Sequence, residues 1–221
     1  MLLAMVALLL LACLPAPEPL LPTLDDSYSP VFQVTVRQVE GKWFFFQDGQ
    51  KGSPVLDLKP FTTGLQLKPG IALMKAVRGR AGGDEYGSVV GTYGDGYAAV
   101  TKQNAGYFFE GVESPEEALK YAALLQNSLG LSLYSTAYTE ITSDWQFWTT
   151  VLLPPWRLVR RPPVSSSTVV TGPNYYVVKR LYKLTIGQQK VMYAESRVFF
   201  NGKFEETAVF QVARGPQGPV P

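Results

Sequence analysis

Histidine is absent from the 221 residues, and cysteine occurs once, at Cys13. The first absence removes Ser-His and Cys-His nucleophile systems, imidazole acid-base chemistry and His-ligated zinc. The second excludes an intrachain disulfide and any cysteine cluster. Charge of one sign is also lacking: 20 Lys and Arg stand against 18 Asp and Glu, a net of +2. That balance gives no electrostatic ground for a nucleic-acid partner. A chain of this length buries roughly 70% of its unfolded surface and needs no metal or disulfide to fold.

Long apolar runs are scarce as well. The first one, Met1 to Ala12, meets no charge before Glu18, and Pro15 and Pro17 stop any helix beyond it. It is shorter than the ~20 residues of a spanning helix and matches a secretory h-region. Its end, Leu10-Leu11-Ala12-Cys13, resembles the lipobox of bacterial lipoproteins. That resemblance implies a signal peptide over 1–12 and a Cys13 that carries a palmitate-type lipid as the mature N-terminus. It also implies an exported protein, held at a membrane of the cell envelope and facing the periplasm or the exterior. An ordinary cut near Ala16, or a retained anchor, would leave Cys13 without that role. Residues 13–24 read as a Pro-rich tether, 25–213 as one domain and 214–221 as a flexible tail. A split within the Arg160–Gly172 loop is the alternative.

Within the domain, apolar and polar residues alternate from Val31 to Val39, and Glu40-Gly41 and Asp48-Gly49 offer tight turns around Lys42–Gln47. Further strands are expected near Ile71–Val77, Ser88–Tyr93, Tyr97–Lys102, Tyr107–Val112 and Leu131–Thr142, with a Ser/Thr loop at Val164–Gly172. Tyr175–Ile186, Lys190–Phe200 and Phe204–Val212 form a meander. Three-residue loops at Gly187–Gln189 and Asn201–Lys203 would pair Tyr182 with Ala194, and Ala194 with Phe210. Met192, Ala194, Phe200, Phe204, Phe210 and Val212 would then face the core, with Glu195 and Arg197 outward. One helix is marked over 114–129. Ser114 stands at the N-cap, Pro115 follows it, and Glu117 sits at the third position. The fold class is α+β: a large antiparallel, twisted or curled sheet with that helix packed on one face.

Chemistry is sparse. Gly94-Asp95-Gly96-Tyr97-Ala98-Ala99 spells a dinucleotide pattern, yet a strand follows it where a helix is required, so it reads as a hairpin turn. Asp84, Glu85 and Asp95 lack calcium-loop spacing, and no metal or cofactor is expected. Glu110, Glu140 and Glu195 are the carboxylates available to a His-free hydrolase, but alternation puts each on a wet face. No enzyme activity is expected. The unusual segment is Trp145–Trp156, which holds three of the four Trp and runs into Arg157, Arg160 and Arg161. The segment is expected to be a strand followed by a covering loop, with Trp145 and Trp148 filling the core at a bend in the strand. Trp156, Arg157, Arg160 and Arg161 are expected to be exposed, for contact with anionic lipid or an envelope protein. Two functions remain open at this level. One is a non-catalytic interaction or structural role; the other is a carrier of an acyl-type ligand in an apolar cavity.

Overall fold

Both short turns of the first hairpins form as their residues dictate. In the computed structural model, which describes residues 32–81, 84–126, 133–135, 138–185 and 188–217, β1 (Val34–Val39) pairs with β2 (Lys42–Gln47). Their partners Val39 and Lys42 leave Glu40 and Gly41 alone in the loop, both at positive φ. Asp48 and Gly49 repeat that geometry before β3 (Gln50–Pro54). Such paired left-handed residues match the strand twist, and glycine adopts them without Cβ strain. Cys13 and the tether lie outside the described residues.

Then come β4 (Asp57–Pro60), β5 (Leu73–Ala81), β6 (Asp84–Tyr93) and β7 (Gly96–Ala99). Tyr93 faces Gly96, so Gly94-Asp95 is a hairpin turn. The strand order is β3-β2-β1-β7-β6-β5-β4. Its two ends approach one another: Val55 N–H donates to Trp43 O of β2, and Leu56 N–H donates to Val77 O of β5. The sheet is therefore curled. Val36, Phe45, Ala76, Val90 and Ala99 are buried together inside the curl.

The strand expected at Tyr107–Val112 is replaced by a single helical turn, α1 (Ala105–Phe108). Asn104 causes the turn. Its Oδ1 accepts from Thr101 N–H at 2.7 Å, and its Nδ2 donates to Ala99 O at 2.8 Å. Helix α2 (Pro115–Leu125) starts at the expected cap, with Ser114 Oγ accepting from Glu117 N–H at 3.2 Å. Glu117 Oε2 in turn accepts from Glu113 N–H at 2.8 Å. The helix ends at Leu125, with Gln126 as its C-cap; the remainder of the expected helix, 127–129, lies outside the described residues.

A second antiparallel sheet takes the rest of the chain. After β8 (Leu133–Ser135), which pairs with β6, β9 (Tyr138–Glu140) joins β12. Helix α3 (Asp144–Val151), β10 (Arg157–Leu158), β11 (Thr168–Thr171), β12 (Tyr175–Leu184), β13 (Gln188–Phe199) and β14 (Phe204–Gln217) follow. Their order is β10-β14-β13-β12-β11. The fold is thus α+β and dominated by antiparallel strands, with the strands shared between two sheets. Strand β11 occupies part of the expected Ser/Thr loop, and β14 carries Arg214–Gln217 as strand where a tail was expected.

Helix α2 lies between the sheets. Ala118, Tyr121, Ala122 and Leu125 pack with Leu73, Val89 and Ala98 of the first sheet and with Tyr176, Val178 and Val198 of the second. Helix α3 covers the opposite face of the second sheet, where Phe147 and Val151 meet Leu181, Val191 and Tyr193. Both faces of the meander are therefore buried, each at a different end.

That double burial explains the corrected register. Phe199 N–H donates to Lys203 O and Gly202 N–H to Phe199 O, so the loop has three residues but begins at Phe200. Bulges at Glu195/Ser196 and Val191/Met192 then shift the pairing, and Tyr193 faces Phe210. Tyr182 faces Met192, two residues from the expected partner, which keeps the same face inward. Ala194 and Val212 are buried as expected, whereas Met192, Phe204 and Phe210 are half-buried and Phe200 is exposed. Arg197 is exposed; Glu195 is half-buried and accepts a hydrogen bond from the Tyr193 hydroxyl.

Candidate functional site

Ser143-Asp144-Trp145-Gln146 begins a helix where a strand was expected. Ser143 Oγ accepts from Gln146 N–H at 3.2 Å, and Gln146 Oε1 accepts from Thr142 N–H at 3.0 Å. This reciprocal cap was visible in the sequence as Ser-x-x-Gln and signals α3. At about 100° per residue, Trp145 points roughly opposite to the buried Phe147. It is 79% exposed, while Trp148 is half-buried against Phe147. The expectation that Trp145 fills the core is therefore corrected.

Beyond the helix, Leu152 and Leu153 are exposed, at 66% and 59%. Trp156 turns back toward the protein, contrary to expectation. It packs on the α3 side of the second sheet, and Lys183 Nζ lies 5.1 Å above its ring. Gly215 of β14 permits this approach, because a Cβ there would come within 2.7 Å of the indole. Arg157, Arg160 and Arg161 are exposed, as the sequence indicates.

The edge pairing distributes these residues. Arg157 faces Arg214 and Leu158 faces Ala213. Within this two-residue strand Arg157 and Leu158 point to opposite faces, and beyond it Val159 N–H and Arg160 N–H both donate to Val212 O. The Arg160 guanidinium stacks 3.9 Å from the Phe210 ring centre, a cation–π contact. Arg161 lines a groove of about 160 Å³ with Phe147, Trp148 and Pro162. Trp145, Leu152, Leu153, Leu158 and Val159 are thus each exposed, in the same stretch of chain as three exposed arginines. The exposure of Trp145 was missed because its run was read as a strand whose aromatics fill the core.

The three carboxylates singled out in the sequence are not brought together. Glu110 is exposed. Glu140 lies opposite Tyr182 and Glu195 opposite Lys179, which puts them on different faces of β12. Glu140 is not on a wet face. Arg180, fully buried, donates from Nη2 to Glu140 Oε2 at 2.7 Å and from Nε to Oε1 at 3.2 Å. Its Nη1 donates to Ala122 O of α2 at 3.0 Å, and Ser167 Oγ lies 2.5 Å from Glu140 Oε1. The cluster ties β9, β12 and α2 to Ser167, the residue before β11.

Burial pushes the Glu140 carboxyl up to about 7, opposed by the Ser167 hydroxyl, and draws Arg180 down to about 9. Tyr182 is raised to about 12 by burial, with Arg180 opposing. The folded state therefore holds the Glu140 proton more tightly than the unfolded chain does. Its contribution to stability is complete below the ordinary carboxyl value of 4.5 and is lost as pH rises through about 7. Denaturation midpoints between pH 5 and 7 should fall with pH in the native protein, and Glu140→Gln should flatten that slope. An unchanged slope in the variant would assign the pH dependence to other groups.

Among the described residues, no group of three His, Cys, Asp or Glu side chains converges to hold a metal ion, and no helix is long and apolar enough to cross a membrane. No family model matches the chain, and neither the curated proteins nor the solved structures include a match to it.

Proposed function

We propose that this protein is an exported, lipid-anchored component of the bacterial envelope with a non-catalytic role, acting through contacts made by the 145–161 edge. The carrying observation is the exposure of Trp145, Leu152, Leu153 and Leu158 in the same stretch of chain as the exposed Arg160 and Arg161. Large apolar side chains held outward beside arginines are a surface composition suited to a partner or an interfacial membrane zone. The lipobox-like Leu10-Leu11-Ala12-Cys13 supports the anchor. The interaction role is favoured over an acyl carrier because Phe108, Phe109 and Tyr121, all fully buried, occupy the space between the sheets.

Two measurements test it. Intact mass of the native protein should show acylation at Cys13, and Cys13→Ala should accumulate unprocessed precursor; normal processing of that variant overturns the lipoprotein reading. A photo-crosslinking residue at Leu153 should form adducts in the native envelope, whereas one at the exposed Gln50 should not. Equal labelling at both positions, or none at Leu153, overturns the edge assignment.

A further inference from the structure

The second sheet carries an unneutralised basic row that the sequence reading did not identify. Arg157 on β10 faces Arg214 on β14, and Arg214 faces Lys190 on β13. Directly opposed side chains of neighbouring strands share a face, so the three cations stand side by side on three strands. None of them makes an ion pair among the described residues. Like charges at opposed positions weaken strand pairing, so the row is a cost to the fold that an anion would offset.

The surroundings are those of a site. Lys190 and Arg214 line an open groove of about 500 Å³ with Gln188, Gln211 and Val159. Gln188 holds the arginine in place: its Oε1 accepts from Arg214 Nη2 at 3.1 Å, while its Nε2 donates to Gly215 O. One guanidinium nitrogen is thereby fixed to the protein, and its remaining N–H groups meet no partner among the described residues. A positioned guanidinium supplies a donor fork and the flexible ammonium a point charge, and both are ligands suited to phosphate oxygens. Gln211, whose Nε2 donates to Ala213 O at 3.4 Å, lines the groove, and Val159, 61% exposed, forms an apolar wall.

We propose that this groove binds a phosphoryl anion, with Arg214 and Lys190 as its ligands, Arg157 as a supporting charge and Gln188 as the positioning residue. A phospholipid headgroup and a soluble phosphate compound share that chemistry. The test uses the full chain in nonionic detergent, titrated with dihexanoyl phosphatidylglycerol, dihexanoylglycerol (which lacks the phosphoryl group) and sodium phosphate, and read by thermal midpoint. Saturable stabilisation by phosphatidylglycerol without an effect of phosphate identifies the lipid source; saturable stabilisation by phosphate identifies the soluble one. Lys190→Gln combined with Arg214→Gln should weaken binding at least tenfold while leaving the ligand-free midpoint unchanged or higher. Lys190→Gln alone should weaken it several-fold. Stabilisation by neither anion, equal stabilisation by dihexanoylglycerol and phosphatidylglycerol, or undiminished binding in the double variant would overturn the proposal. None of these readouts depends on acylation at Cys13 or on crosslinking at Leu153.

Discussion

Replacing Arg180 by alanine should lower the unfolding free energy by about 3–5 kcal/mol, because it leaves a buried carboxylate without its cation. Arg180 is fully buried, and its guanidinium makes two contacts with Glu140 and one with Ala122 O at the last turn of α2. The loss should depend on pH. Without the guanidinium, Glu140 sits in the same buried pocket and favours its protonated form still more strongly. The deficit should therefore be larger at pH 8 than at pH 5, as urea denaturation at the two values would show. The paired replacement Arg180→Met with Glu140→Leu should cost much less than Arg180→Ala, since no charge is then stranded. Equal losses in the single and paired variants would mean that packing volume, and not the stranded charge, sets the effect.

The second large effect is expected at Tyr121. Its ring is fully buried between the sheets and meets Phe109 edge-on, with centroids 5.3 Å apart. Its hydroxyl donates to Gly202 O at 2.7 Å, so α2 is tied to the β13–β14 loop. Tyr121→Ala should cost about 3–5 kcal/mol, the range for deleting a buried aromatic. Tyr121→Phe removes only the hydroxyl and should cost about 1–2 kcal/mol, because the Gly202 carbonyl loses its donor. Calorimetric midpoints of the two variants would separate packing from the hydrogen bond. A Phe variant as unstable as the Ala variant would place the stabilisation in the hydroxyl.

Legibility followed the range of the interactions. Glu40-Gly41, Asp48-Gly49 and Gly94-Asp95 act through backbone conformations of two residues, and each turn stands where the sequence puts it. The Ser114 cap is equally local, needing only an oxygen three residues before an amide. The Ser143–Gln146 cap carried the same kind of signal, yet the apolar Trp-rich run after it fits a buried strand as readily as a short helix. Reading that run as a strand put Trp145 inward, and reading its Pro154-Pro155 end as an exposed loop put Trp156 outward. The three arginines were placed outward correctly because a charged side chain without a partner stays in water whatever element carries it.

The sequence by itself determined the α+β class, the tight turns, the start of α2 and the absence of imidazole and thiol-cluster chemistry. These follow from residue type and from spacings of a few positions. Only the tertiary structure decided the rest. Alternation along one strand records that a face is buried but not by what, so it did not show that α2 and α3 cover opposite faces of one sheet. Bulges in β13 and β14 shifted the register, because pairing answers to both covered faces at once. Arg180 and Glu140, 40 positions apart, meet because β9 pairs with β12. The basic groove likewise arises from residues of β10, β13 and β14, which lie together only once the sheet has formed.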